Sequence, residues 1–392
     1  MSWLEGAATG PVVTLADLPV FCNALYADAG AARAAARGDL ALMFSPETGY
    51  LWNGAFDPAL VAYNPSYENS LHHSERFRSH VTGLADRLID RYDLRRRTIV
   101  EIGCGEGNFL ALLCERGENR GVGYDPSFDP DRTKVVTSCR MEIVRDYYPT
   151  DRPIDASLVV CQHVLEHVTD PVSLVEGVRR SLPASAEATV YFEVPDATYM
   201  VSESAVWDLT YEHRSYFAAP TLRALFRRSG FEVIEVGRSF GDQYLYLEAR
   251  AGSTAPATAA GAERTTVSEA EELAELGARV AEFGAHVERL CRTWTERVAA
   301  MRAVGEIAIW GAGTKGVTFA NLIAGAGEAH MVDINPNKWG LHAPGTGQAV
   351  VAPASLGPGL AHVLVMNPLY VDEVTAEVHA LGLQATVSAV SD

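Results

Sequence analysis

Positive charge is in short supply in this chain. Its 392 residues carry 32 Lys and Arg against 50 Asp and Glu, a formal net charge of −18, so a phosphate backbone meets a repulsive field. That speaks against a nucleic-acid substrate, and basic runs such as Arg95 to Arg97 and Arg227-Arg228 read as solvated helix ends. Long apolar runs are missing too. None reaches the roughly 18 residues of a membrane helix, and the first residues lack the basic and apolar stretches of a secretory signal. Cysteine is sparse: Cys22, Cys104, Cys114, Cys139, Cys161 and Cys291 include no Cys-x-x-Cys pair. Two of them lie in or beside expected buried strands, so reduced thiols and a cytoplasmic location are expected. Apolar content is not lacking. At 48% hydrophobic the chain is no disordered polymer, and its length suffices for two or more cores.

The most informative stretch is Thr98-Ile-Val-Glu-Ile-Gly-Cys-Gly-Glu-Gly-Asn-Phe109. An apolar strand through Ile102 runs into a turn with glycines at 103, 105 and 107, and a helix with Phe109, Leu110, Leu112 and Leu113 follows. The spacing is Gly-x-Gly-x-Gly, not the Gly-x-Gly-x-x-Gly of dinucleotide sites. Glycines let the backbone come close to a ligand. Glu101, two residues before the first glycine, can meet an ammonium and would repel a pyrophosphate. S-adenosylmethionine fits both demands, although a glycine-rich turn alone can be purely structural. Asp125 ends the next short strand, roughly twenty residues on, where a doubly wound sheet puts the acid for a ribose diol. A third apolar strand, Asp155 to Cys161, runs into Gln162-His-Val-Leu-Glu-His167.

These residues resemble the class I S-adenosylmethionine-dependent methyltransferases. The resemblance implies a doubly wound α/β sheet. It places the cofactor against Glu101, Gly103, Gly105, Asn108 and Phe109 in the first turn and Asp125 and Pro126 at the second. Gln162 and His163 would flank it. His163 and His167 stand four apart and invite a metal reading, but no third ligand is evident from the sequence, and no metal is expected.

Four regions follow from the patterning. Residues 1–85 read as a loop-rich segment over the active site, and 86–250 alternate strand and helix as in a parallel sheet covered by helices. Residues 251–304 combine a small-residue linker with a long helix from about Ser268, whose Leu276, Val280, Phe283 and Val287 recur at three and four residues. Residues 305–392 form a second, Rossmann-like unit. There Gly311, Gly313 and Gly316, with Asp333 some twenty residues on, match a dinucleotide fingerprint. That unit either binds NAD(P), which would make the chain an oxidoreductase, or is a Rossmann-like fold whose turn binds another phosphate or nothing.

The motif order resembles the sugar C-methyltransferases of deoxysugar pathways. The segments that carry this are Tyr67 to Ser74, Tyr211-Glu-His-Arg-Ser-Tyr-Phe217, Trp310 to Gly316, Val332 to Pro336 and Met366 to Tyr370. The resemblance covers nearly the whole chain. It implies a zinc-binding N-terminal module, a methyltransferase domain and a Rossmann-like C-terminal domain around a nucleotide-linked keto sugar, with the methyl going to carbon. One departure stands out. Where that family has a Cys-x-x-Cys-Gly pair, this chain has Phe44-Ser-Pro-Glu-Thr-Gly49, and Cys22 alone remains in the N-terminal region. A structural zinc needs four ligands at paired spacings, so none is expected, and Tyr50, Trp52, Phe56 and Tyr63 are expected to hold the module by packing.

For carbon methylation a base must remove a proton beside the ketone, leaving an enolate that attacks the sulfonium methyl. Imidazole titrates near neutral pH, which makes His213 the first candidate. Glu212 would orient it or serve instead, and Tyr211 or Tyr216 would donate to the enolate oxygen. The same residues could merely anchor a loop. Tyr67, Asn69 and Ser74 are expected in a lid over the cofactor, and His72 and His73 against the acceptor or at the surface. Lys315 could meet a phosphate at the helix start or be solvated, and Asn367 and Tyr370 would line the cleft. Two rivals stay open: oxygen or nitrogen methylation of another natural-product intermediate, and a non-catalytic S-adenosylmethionine-binding protein. A small-molecule acceptor, no membrane partner and a monomer or homodimer complete the expectation.

Overall fold

The computed structural model describes residues 3–8, 10–61, 73–130, 135, 139–183, 188–251 and 267–390. Tyr63, Tyr67, Asn69, His72 and nearly all of the small-residue linker lie outside the described residues.

The N-terminal segment is a sheet rather than a set of loops. Strands β1 (Pro11–Pro19), β2 (Arg37–Phe44) and β3 (Leu51–Asn53) pair antiparallel in that order, with helix α1 (Ala29–Arg33) after β1. A register break between Leu15 and Leu18 interrupts β1, and with it the period-two alternation by which a strand is recognised. Aromatic packing holds the module. Tyr50 stacks on Trp52 with ring centres 5.4 Å apart, and its hydroxyl lies 2.6 Å from Ser215 Oγ. Phe56 stacks on Tyr211 at 6.0 Å. Cys22 is buried, its Sγ 3.4 Å from Thr210 Oγ1 and 3.5 Å from Thr318 Oγ1.

Helix α2 (Glu75–Arg91) leads into the central sheet. Strands β4 (Thr98–Ile102), β5 (Arg120–Tyr124), β6 (Arg140–Val144), β7 (Leu158–Gln162) and β8 (Thr189–Pro195) lie parallel. Helix α3 (Asn108–Gly117) joins β4 to β5, and α4 (Pro171–Ser181) joins β7 to β8. Helix α5 (Ala197–Ser202) follows, then β9 (Ser215–Tyr216), which leaves the sheet to pair with β3. Helix α6 (Ala219–Arg228) and the hairpin of β10 (Phe231–Ser239) and β11 (Tyr244–Ala251) complete it. The spatial order is β6-β5-β4-β7-β8-β11-β10, with β11 antiparallel to both neighbours. Strands β4 and β7 are buried on both faces, which is why they read as mostly apolar runs rather than alternating ones. Successive connections turn opposite ways from β4, and the crevice at the carboxyl ends there is where an open α/β sheet takes its ligand.

Helix α7 (Val267–Val304) buries Leu276, Val280, Phe283, Val287, Leu290 and Trp294 and packs on β1 and α5. The C-terminal unit follows with β12 (Glu306–Trp310), α8 (Thr314–Leu322), β13 (His330–Val332), β14 (Val350–Val351), β15 (Leu360–Val365), α9 (Val371–Ala380) and β16 (Thr386–Ala389). Its strands form a parallel sheet in the order β14-β13-β12-β15-β16, so it has its own crevice beside β12. One hydrophobic core runs from Leu15 and Leu40 of the N-terminal sheet through Phe283 and Trp294 of α7 to Ile309 and Phe319. Each such side chain contributes about 1.5–3 kcal/mol relative to an exposed one. No helix among the described residues is long and apolar enough to cross a membrane.

Candidate active site

The glycine turn after β4 is shaped by its neighbours. Gly103 has φ +68°, and a Cβ there would lie 2.2 Å from Val164 Cγ2, so a larger residue would push the turn off the loop after β7. Glu101 is buried with Oε2 lacking a hydrogen-bond partner among the described residues. Burial pushes its pKa up to about 8, the Leu110 N–H opposing and the Asp125 charge adding to the rise. Asp125 stands at the end of β5, where Oδ2 accepts from Gly105 N at 2.8 Å and Oδ1 from Ser127 N at 2.7 Å. Asn108 opens α3, half-buried, and Pro126 follows Asp125. Phe109 departs from expectation. It is buried in the core between α3 and α2, with Phe77 and Val81, because the first turn of α3 presents it to α2.

Glu101 has a consequence for stability. Its folded pKa lies above the ordinary carboxylate range, so the folded chain holds this proton while the unfolded chain has released it. Stability from this group is therefore greatest below about pH 4.5 and declines as pH rises to about 8. Its surroundings offset little of this, being the Leu110 amide, the Asp125 carboxylate and the Cys104 and Cys161 thiols. Urea unfolding of the ligand-free chain should show a decline of at most about 4 kcal/mol between about pH 5 and 8. Glu101→Gln should flatten it, and an equally steep decline in that variant would place the effect elsewhere.

The carboxyl ends of the central and C-terminal sheets face one cavity of about 310 Å³, within the usual range for a small-molecule pocket. His163, Glu166 and His167 from the loop after β7 enter it, as do Asp208 and His213 and, from β11 and the residue before it, Tyr244 and Gln243. The C-terminal unit supplies Gly311, Gly313, Thr314, Lys315, Asp333, Lys338, Asn367 and Tyr370, and His73 and Ser74 line it at the start of α2.

At its centre lies a His and carboxylate network. His163 adopts φ +54°, uncommon for a residue with a side chain and a mark of functional sites. Its Nδ1 is 3.7 Å from Glu166 Oε1 and its Nε2 is 3.6 Å from Glu193 Oε1. Burial works against the charged His163 ring, but Glu166 and Glu193 outweigh it and raise its pKa. Gln162 turns away, donating to Glu193 Oε1 at 3.0 Å. The His213 ring packs edge-on to His167, centres 4.8 Å apart. Burial, reinforced by His167, pushes its pKa down to about 3, so the ring is neutral with a lone pair to offer. Glu212 does not orient His213. Its Oε1 accepts from Cys22 N at 3.2 Å and its Oε2 lies 3.8 Å from His167 Nδ1.

Other expected residues sit differently. Tyr211 and Tyr216 do not line the cavity. The Tyr211 hydroxyl accepts from Asp57 N at 2.9 Å, and the Tyr216 hydroxyl donates to Thr210 O at 2.9 Å. Both lie on the side of their loop that packs against the N-terminal sheet. Ser74 caps α2 through Phe77 N and donates to Glu373 Oε2 at 3.1 Å, so it ties α2 to α9. Lys315 is ion-paired with Asp208 across the cavity. Asn367 exchanges two 2.8 Å amide hydrogen bonds with Gln243, joining the two sheets' ends. Among the lining residues that the sequence does not mark are Tyr244, whose ring centre is 4.4 Å from that of His163, and Lys338. Lys338 is 6% exposed and donates to Ala312 O at 3.0 Å and to Asp333 Oδ2 at 3.1 Å. Asp333 Oδ2 also accepts from Ala312 N, and Oδ1 accepts from Asn335 N.

Residues 76–236 match the family described as methyltransferase domain, and residues 244–385 match the C-methyltransferase C-terminal domain. The C-methyltransferase NovU of Streptomyces niveus is 26% identical over 262 residues, covering 64% of this chain and 60% of that protein. A tRNA U34 carboxymethyltransferase of Sulfurimonas denitrificans (strain ATCC 33889 / DSM 1251) is 26% identical over 161 residues, 38% of this chain and 53% of that one. The chain thus spans 53% to 60% of the length of the curated relatives it matches. Among solved structures, magnesium protoporphyrin IX methyltransferase from Synechocystis PCC 6803 is similar at 15% identity with a TM-score of 0.36. That match covers 45% of this chain and 83% of the other, and the fold rests on the strand order instead. The chain therefore carries a methyltransferase domain followed by a C-methyltransferase C-terminal domain, the domain order that its resemblance to the sugar C-methyltransferases implies.

Proposed function

We propose that the chain transfers a methyl group from S-adenosylmethionine to carbon on a nucleotide-linked keto sugar, through an enolate. The observation that carries this reading is the neutral His213 ring facing the cavity at the ends of both sheets. In this reading the turn after β4 and Asp125 hold the cofactor, which supplies the electrophilic methyl. His213 removes the proton beside the ketone, and Glu166, the buried carboxylate next to it, balances the charge the imidazole gains. Tyr244 takes the place first given to Tyr211 and Tyr216, because it lines the cavity and they do not. Its hydroxyl donates to the developing enolate oxygen. The nucleotide would lie toward Lys315, Asn367 and Tyr370, displacing Asp208 from Lys315. The division of the chain at residues 85, 250 and 304, a cytoplasmic location and a monomer or homodimer belong to the same proposal.

Oxygen or nitrogen methylation would use the same base on a different acceptor. An NAD(P) site is disfavoured by Lys338, which already neutralises the acid that a ribose diol would need. A tRNA acceptor, which the carboxymethyltransferase names suggest for those proteins, runs against the net charge of −18.

Deuterium exchange separates these readings without requiring methyl transfer. With S-adenosylhomocysteine bound, a dTDP- or UDP-linked 4-keto-6-deoxysugar should lose the proton next to its ketone to heavy water, followed by NMR. Tyr244→Phe should slow that exchange about 100-fold. No exchange on either sugar, with S-adenosylhomocysteine shown to bind, would turn the acceptor to another class.

A further inference from the structure

Glu166, His167 and His213 come from two loops, yet each brings one ligand atom to within 4.8 Å of the others. We propose that these three side chains form a binding site for a divalent first-row transition ion of the zinc class. The donor set is two imidazoles and one carboxylate, a combination zinc accepts and magnesium and calcium, which prefer oxygen, do not. His167 is joined there by Glu166, its neighbour in sequence, and by His213 from a distant loop, while His163 is not part of the set.

Two further observations point to a ligand at this place. Glu166 is 2% exposed, and its Oε2 has no hydrogen-bond partner among the described residues. A buried carboxylate oxygen left so is costly unless something positive meets it. The surrounding groups are also those of a metal site. Glu212 Oε2 stands 3.8 Å from His167 Nδ1. Carboxylates behind ligating imidazoles fix the ring and its tautomer, and Glu212 is itself held by the Cys22 N–H. With Nδ1 turned to Glu212, His167 keeps Nε2 for an ion. All three side chains line the cavity, which leaves a coordination position open to a water or an acceptor oxygen.

The site shares two residues with the proposed function, His213 as the base and Glu166 as its charge partner. An ion on His213 makes that ring a poor base, so a loaded chain enolises slowly and a stripped chain regains the base.

The test uses the full chain, stripped with chelator and titrated with Co(II) and then Zn(II). One equivalent of Co(II) is expected, with visible d–d absorption, no thiolate charge-transfer band, and displacement by Zn(II). His167→Ala and the nearly isosteric Glu166→Gln should each weaken binding by at least about 10- to 100-fold. Unchanged melting of the stripped variants would show that they fold. Absence of stoichiometric binding, or binding that survives both substitutions, would overturn the site. If the wild type binds no ion but His213→Ala abolishes deuterium exchange, the metal site fails and the base stands. If the stripped wild type exchanges nothing and Zn(II) restores exchange, the site stands and the base reading fails.

Discussion

Replacement of His213 by Ala is expected to lower turnover by about 100- to 10,000-fold, the range over which a positioned base contributes. The loss should appear in kcat, with binding of S-adenosylhomocysteine by calorimetry unchanged. The cofactor turn explains this separation, since Gly103, Gly105 and Asp125 are not among the residues that line the cavity with His213. In the ligand-free chain His213 holds a proton weakly, because burial and the neighbouring His167 both oppose its charge. Glu166 is the neighbour that favours the charged ring, so Glu166→Gln should slow the deuterium exchange as well. Methylated product forming at wild-type rate in His213→Ala would remove the histidine from the chemistry and leave Glu212 as the next candidate.

Lys338→Met should cost about 3–5 kcal/mol of stability, the usual result of removing one member of a buried ion pair. The lysine is slightly more buried than its partner Asp333, and without it that carboxylate keeps, among the described residues, only the Ala312 and Asn335 amides. The loss should fall on the transition of the C-terminal unit, because the pair ties the turn after β12 to the loop after β13. Calorimetric unfolding of the full chain reads it. Asp333→Asn added to Lys338→Met should recover part of the loss, as the orphaned charge is then gone. Equal melting of wild type and Lys338→Met would mean that Asp333 is protonated or finds another cation.

The turn after β4 was legible in the sequence because its signals are local. Ile99, Val100 and Ile102 form a short apolar stretch around Glu101, the glycines follow at fixed spacing, and the acid of the next strand comes at a set distance. Helix α7 was legible for the same reason, its apolar stripe repeating over many turns. The N-terminal sheet was not, since a bulge in β1 hides the alternation and its third strand is only three residues long. His167 was visible through its helical spacing from His163, yet its meeting with His213 depends on two loops converging, which no local pattern records. Tyr211 and Tyr216 were favoured for standing beside His213 in sequence, and the chain's alternate facing turned them into the N-terminal sheet. Lys338 offered no signal, because a lysine in a polar turn reads as solvated until its partners are seen.

The core shared by the first strands and the last unit also sets an order of events in time. Cys22 meets Thr318, and Tyr26 pairs with His342, so the N-terminal sheet, whose first three strands pair with one another, completes its packing only when almost the whole chain has been synthesised. The central sheet, whose contacts are closer in sequence, can form while the apolar face of the N-terminal sheet waits exposed. Long-range contacts of this kind form slowly, and exposed apolar surface is prone to aggregate during the delay. Yield in a heterologous host should therefore depend on translation speed and chaperone supply more than the stability of the finished molecule would indicate.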